Sequence, residues 1–203
     1  MALNSLSAKL RRLLRCRDGI AALEFAFAFP VVLTVVMGVI ELSMVLFVSS
    51  LLEGGLRDAS RFGITGNTPE SGTREQAIVD IVNSRLMGLI TVTPADMRMR
   101  VYKCLSDIGK PEPLTNDVNG NGKWDPGDTY TDVNGNGQWD EDMASSGAGS
   151  SGDVVVYSVA TSWHLLTPFL APAFGNGGVF PLTASIAVRN EPWVITNGQG
   201  GTC

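Results

Sequence analysis

Two nine-residue units hold the most concentrated chemistry in this 203-residue chain. Residues 117–125 read Asp-Val-Asn-Gly-Asn-Gly-Lys-Trp-Asp, and fifteen residues later 132–140 repeat them with Gln138 in place of Lys123. Carboxylates and carboxamides at alternate positions, with glycines to turn the chain between them, are hard oxygen donors suited to calcium rather than to softer metals. On a twelve-residue calcium loop, Asp117, Asn119, Asn121, the Lys123 carbonyl, Asp125 and Asp128 occupy positions 1, 3, 5, 7, 9 and 12, with Gly122 at the sharp turn. The second copy offers Asp132, Asn134, Asn136, the Gln138 carbonyl and Asp140. Its twelfth position is Met143, so Glu141 or Asp142 has to close that shell. The expected cofactor is calcium, one or two ions, held with the roughly 0.1 to 1 mM affinity of extracellular modules. The alternative is a solvated Asn/Gly-rich surface loop without metal.

These loops sit in an acidic stretch, 105–152, with nine acids against Lys110 and Lys123. Pro111 and Pro113 before the repeat, and the Ser/Gly run 145–152 after it, argue against flanking helices. Around the insertion, periodicity places the supporting elements. Thr73 can cap a helix whose apolar residues Ile78, Ile81, Val82 and Leu86 follow helical spacing. Residues 97–104 alternate as a half-buried strand, and 153–162 and 179–188 supply two more. The expected class is α+β: a long N-terminal helix, then a small antiparallel sheet packed on helix, with the calcium-loop insertion.

The N-terminal region reads as a membrane element. Lys9, Arg11, Arg12, Arg15 and Arg17 stand against Asp18 alone, although the whole chain carries a net charge of -5. An acidic body with one short basic arm disfavours nucleic acid as a partner class, because phosphate binding needs a clustered basic face. From Ile20 to Leu52 the only charges are Glu24 and Glu41, and Phe25 to Ile40 has none. Such a run predicts a single membrane span with the basic arm cytoplasmic and the rest outside, within a helix reaching about Ile64 despite a weak point at Gly54 and Gly55. Domains follow as a leader 1–19, a transmembrane and stem helix 20–64, and an extracytoplasmic head 65–203. If Cys16 stays on the cytoplasmic side or is removed, Cys104 and Cys203 form an even pair in an oxidising space.

Gly19 followed by Ile20-Ala21-Ala22-Leu23-Glu24-Phe25 resembles the site cut by prepilin peptidases, which remove a basic leader after glycine. The resemblance implies cleavage between Gly19 and Ile20. It also implies that Glu24, beside Phe25, pairs with the new amine of a neighbouring subunit during assembly. Glu41 is left to the outer interface or to Arg57 or Arg61 of a neighbour.

The run 21–26, then Pro30, Gly38-Val39-Ile40-Glu41-Leu42 and 57–63 (Arg-Asp-Ala-Ser-Arg-Phe-Gly) resembles the TadE-like family of tight-adherence (Tad) pilus proteins. Residues 163–168 (Trp-His-Leu-Leu-Thr-Pro), 182–185 and 189–192 are similar to that family's closing segment. The acidic repeats are similar to helix-free EF-hand-type loops of dockerin kind. Family resemblance implies a bacterial inner-membrane minor pilin or pseudopilin taking part in Tad pilus assembly and adherence. The partners implied are other pilin subunits, the assembly machinery, prepilin peptidase and membrane lipid. The alternative is an uncleaved single-pass protein with a calcium-stabilised binding domain outside. No enzyme is expected, since His164 is the only histidine and has no nucleophile or acid patterned with it.

Overall fold

The computed structural model describes residues 20–174 and 176–192. The predicted leader with Gly19, and Cys203 of the predicted disulfide, lie outside the described residues.

Helix α1 spans Ile20–Ile64, with the bounds the sequence indicates. Residues 20–36 are exposed on every face, although nearly all are apolar. A helix satisfies its backbone groups internally, so an apolar surface on all sides is compatible with lipid and costly in water. α1 is long and apolar enough to cross a membrane. It continues through Pro30, whose carbonyl accepts the Thr34 hydroxyl at 2.7 Å. It also continues through Gly54 and Gly55, where the sequence allows a joint. Gly55 has a different use: a Cβ there would stand 3.2 Å from the Val82 carbonyl oxygen, so its bare backbone admits the second helix.

The chain divides into two compact units. In the first, residues of α1 up to Met44 group with Leu165–Gly178, a segment that the sequence reading assigns to the head. This segment forms a 3-10 turn at Pro168–Leu170 and a single helical turn at Ala171–Phe174. Its ends are joined by the Leu165 N–H donating to the Gly178 carbonyl at 3.0 Å.

The second unit holds the sheet. Helix α2, Arg74–Arg85, opens on Thr73, whose hydroxyl oxygen accepts the Gln76 N–H at 3.2 Å, the cap that the sequence indicates. Strands β1 (Met97–Tyr102), β2 (Leu114–Asn116), β3 (Thr129–Tyr130), β4 (Ser145–Ser146), β5 (Val154–His164) and β6 (Val179–Arg189) follow in chain order. The main sheet is antiparallel in the order β4-β1-β5-β6, with Val101 opposite Val155 and Val159 opposite Ala184. Alternation along β5 buries Val155, Tyr157, Val159 and Trp163 and exposes Ala160, Ser162 and His164, as period-2 side-chain geometry requires. The buried face shares a core with Val48, Leu52, Leu56 and Ala59 of α1 and with Ile78, Val79 and Val82 of α2. Those α1 residues recur every three or four positions, so one stripe of the helix turns inward. Each such Val or Leu contributes about 1.5–3 kcal/mol by leaving water.

β1 stops at Tyr102, short of the expected Cys104, because Cys104 begins a 3-10 turn over Leu105–Asp107 in which its N–H donates to Asp107 Oδ2 at 3.2 Å. β4 was not legible in sequence. It lies in the Ser/Gly run of the insertion and pairs with Arg100 and Val101.

Candidate functional site

The insertion is held at both ends. β2 and β3 form a small hairpin that brackets residues 117–128, with the Thr115 and Thr129 hydroxyls 2.8 Å apart. The Met143 N–H donates to the Lys110 carbonyl at 2.9 Å, and the Asn190 amide donates to the carbonyls of Ala148 and Ser150 at 3.0 and 2.9 Å.

Within this frame each repeat makes the same turn. In the first, Asp117 Oδ1 accepts the N–H of Gly120 at 2.7 Å and Oδ2 that of Gly122 at 2.7 Å. The Gly122 bond foremost, joined by those of Gly120 and Asn121, holds the Asp117 carboxyl below the ordinary aspartate range. Gly122, at φ +73, turns the chain as only glycine does without strain. The Asn119 and Asn121 amides both donate to Asp125 Oδ2, at 2.8 and 2.7 Å, and so lower the pKa of Asp125 as well. In the second repeat, Asp132 accepts from Gly135 (2.6 Å) and Gly137 (2.8 Å), and Asn134 and Asn136 donate to Asp140 Oδ2 (2.7 and 2.5 Å). The backbone N–H of Lys123 donates to Asn121 Oδ1, and that of Gln138 to Asn136 Oδ1, both at 2.7 Å. Trp124 and Trp139, the same residue of each repeat, stack with centroids 5.6 Å apart and planes 9° from parallel.

The loops differ in how their last position is filled. Asp128 braces the first, accepting the N–H of Val118 at 2.9 Å and of Asp125 at 2.8 Å. In the second, the corresponding N–H groups, Val133 (2.7 Å) and Asp140 (3.2 Å), donate to Glu112 Oε1 and Oε2. Glu112 is only 1% exposed and comes from before the first repeat. It accepts the N–H groups that correspond to those Asp128 accepts in the first loop, a part that neither Glu141 nor Asp142 takes. Asp142 faces β1 instead, accepting from Arg100 Nη1 at 2.7 Å and the Tyr102 hydroxyl at 3.1 Å. The sequence signal for Glu112 is indirect: a repeat lacking its twelfth acid needs one from elsewhere, and local spacing does not say where. Among the described residues no group of three or more His, Cys, Asp or Glu side chains forms a metal cluster. The loop oxygens come from aspartates interleaved with asparagines.

On α1, Glu24 is exposed just beyond the first turn, and Phe25 packs on Phe29 with ring centroids 5.3 Å apart. Glu41 is 1% exposed, and its Oε1 accepts the Thr167 N–H at 2.6 Å and also the Thr167 hydroxyl. The sequence reading leaves Glu41 to the interface or to an arginine and misses Thr167. His164 is the exposed last residue of β5. Cys104 is half-buried at the end of β1.

No curated protein and no solved structure matches this chain. The similarity noted over residues 163–192 lies outside the segment that a family model covers. Residues 19–61, which are α1 nearly entire with the glycine before it, match the family described as TadE-like protein, and this suggests a membrane-anchored protein associated with the Tad pilus.

Proposed function

We propose that this chain is a minor pilin or pseudopilin of a Tad-type pilus, made as a prepilin and cut between Gly19 and Ile20. The observation that carries the reading is the family match over 19–61, coinciding with a lipid-compatible helix that bears Glu24 just past its first turn. The basic arm remains cytoplasmic and the head lies outside the inner membrane. A carboxylate beside the apolar span needs a partner. Cleavage creates one, since it frees the α-amine of Ile20, a group that ordinarily carries a proton at neutral pH. Glu24 of one subunit and the amine of the next then set the stagger of packed helices. The protein therefore works with other pilin subunits, the assembly machinery and prepilin peptidase.

N-terminal sequencing of membrane-extracted protein should give a chain starting at Ile20, and Gly19→Phe should retain the leader. A chain beginning after Val45 would mean cleavage by an ordinary signal peptidase and would reject the reading. Glu24→Ala should insert normally yet lose piliation.

The same reading gives the insertion a calcium role, in which the ions tie the loops together outside the cell. The first loop would use Asp117, Asn119, Asn121, the Lys123 carbonyl, Asp125 and Asp128. The second would use Asp132, Asn134, Asn136, the Gln138 carbonyl and Asp140, with Glu112 rather than Asp142 as closing carboxylate. The support is the oxygen-rich donor set and the matching places of Asp128 and Glu112. Calorimetry on the detergent-solubilised chain should show calcium binding at millimolar concentration, lost in Asp117→Ala combined with Glu112→Gln. No heat in the wild type returns the insertion to a metal-free loop.

A further inference from the structure

We infer that Leu165–Phe174 is a second membrane-contacting element, seated in the leaflet at the Glu41 end of α1 and exposing Leu166 and Phe169 to lipid. This rests on α1 crossing the bilayer and is independent of the pilus reading.

The segment has its polarity inverted relative to a water-facing loop. Between Leu165 and Phe174 there is no charged residue, and the only polar side chain is Thr167. Thr167 turns inward, its side-chain hydroxyl and its backbone N–H both donated to Glu41 Oε1. The large apolar side chains turn outward instead: Leu166 is 58% and Phe169 59% exposed, while Leu170 alone is buried. A soluble loop places such groups the other way round, because exposed leucine and phenylalanine are unfavourable in water and a hydroxyl is not.

The Glu41 contact fixes the depth. Sixteen uncharged residues from Phe25 to Ile40 span about 24 Å, short of a hydrocarbon core of ~30 Å, so the apolar slab has to pass a glutamate at one end. At the Glu41 end the structure makes that passage feasible. Two donors from Thr167 meet the carboxylate, and the segment covers it to 1% exposure, while Ile40 and Leu42 beside it stay 45% and 54% exposed. Phe169 is two residues from Thr167, within about 7 Å along the chain, so it lies near the level of the capped acid. The apolar surface of the span thus continues onto this segment within one compact unit. Lipid is the occupant that this continuity and lack of charge favour.

Photo-crosslinking of the full chain in its membrane tests the inference. The photoreactive analogue p-benzoylphenylalanine is placed at Phe169, at Leu166, at Val35 within the span, and at Thr183 on the exposed face of β6. Lipid adducts at Phe169, Leu166 and Val35, with none at Thr183, are expected. Lipid adducts at Val35 alone would overturn the inference while leaving the span intact. A two-copy protein adduct at Phe169 in place of lipid would also overturn it, making the face a contact between copies. Absence of lipid adducts at Val35 itself would remove the span on which the inference rests, a failure distinguishable from the others.

Discussion

Glu112 shows how one side chain repairs a defect in a repeat. The second loop has Met143 where the first has Asp128, yet two of its backbone donors meet, in part-buried hydrogen bonds, a carboxylate brought from another part of the chain. Glu112→Ala leaves the N–H groups of Val133 and Asp140 without that acceptor, at a cost of about 1–3 kcal/mol. Limited proteolysis should then cut faster near Gly135 and at an unchanged rate near Gly120. Met143→Glu should change neither rate, because the place is already filled. Acid should act on both loops. Asp117 and Asp125 are depressed by the N–H groups around them, so their contribution to loop order is complete above the ordinary aspartate pKa of about 4. That contribution is lost as pH falls through the lower folded-state values. Protease sensitivity of 117–128 should therefore stay flat from neutrality to about pH 5 and rise below about pH 4; a rise already at pH 6 would contradict this.

At the scale of elements, close approaches of backbone decide which helix positions tolerate change. A Cβ on Gly63 would lie 2.2 Å from the Tyr157 hydroxyl oxygen and 3.0 Å from its ring carbon. Tyr157 cannot retreat readily: it is fully buried on β5, and burial pushes its hydroxyl up to about 12. Gly63→Ala should therefore destabilise by about 1–3 kcal/mol, the usual cost of overpacking. Gly54, nine residues earlier on the same helix, has nothing within 4 Å of its Cβ position. There alanine should stabilise by up to about 1 kcal/mol through helix propensity. Thermal unfolding of the two variants in one detergent should move the midpoints in opposite directions.

At the scale of the whole molecule, acid and apolar surface are kept in different places. Of the nine acids of the insertion, Glu112, Asp117, Asp128 and Asp132 accept backbone N–H groups, Asp125 and Asp140 accept asparagine amides and Asp142 accepts from Arg100, while α1 is uncharged from Phe25 to Ile40. An insertion bearing net negative charge and an uncharged apolar helix suit a membrane-anchored protein whose remaining surface faces water. The proposed bond between Cys104 and Cys203 would close a loop of nearly half the chain, worth up to about 4.7 kcal/mol in the chain-entropy model. Intact-mass analysis after alkylation without reductant should find one thiol modified, Cys16, if the leader is retained, and none after its removal. Modification of both Cys104 and Cys203 would refute the pairing.

The elements built by local periodicity were determined by the sequence alone. An unbroken apolar run sets α1, a threonine cap followed by helical spacing sets α2, and alternation sets β5 and β6, because each pattern expresses contacts between near neighbours. The turn of each acidic loop was legible for the same reason, since Asp117 and Asp132 reach only three to five residues ahead. The partners of Glu112, Glu41 and Asp142, and the pairing of β4 with β1, were decided by tertiary structure. Thr167 is 126 residues from Glu41 and Asp142 is 42 from Arg100. Nothing in local spacing ranks one distant donor over another, and the choice falls to whichever groups the packed chain leaves facing a buried carboxylate that must be satisfied.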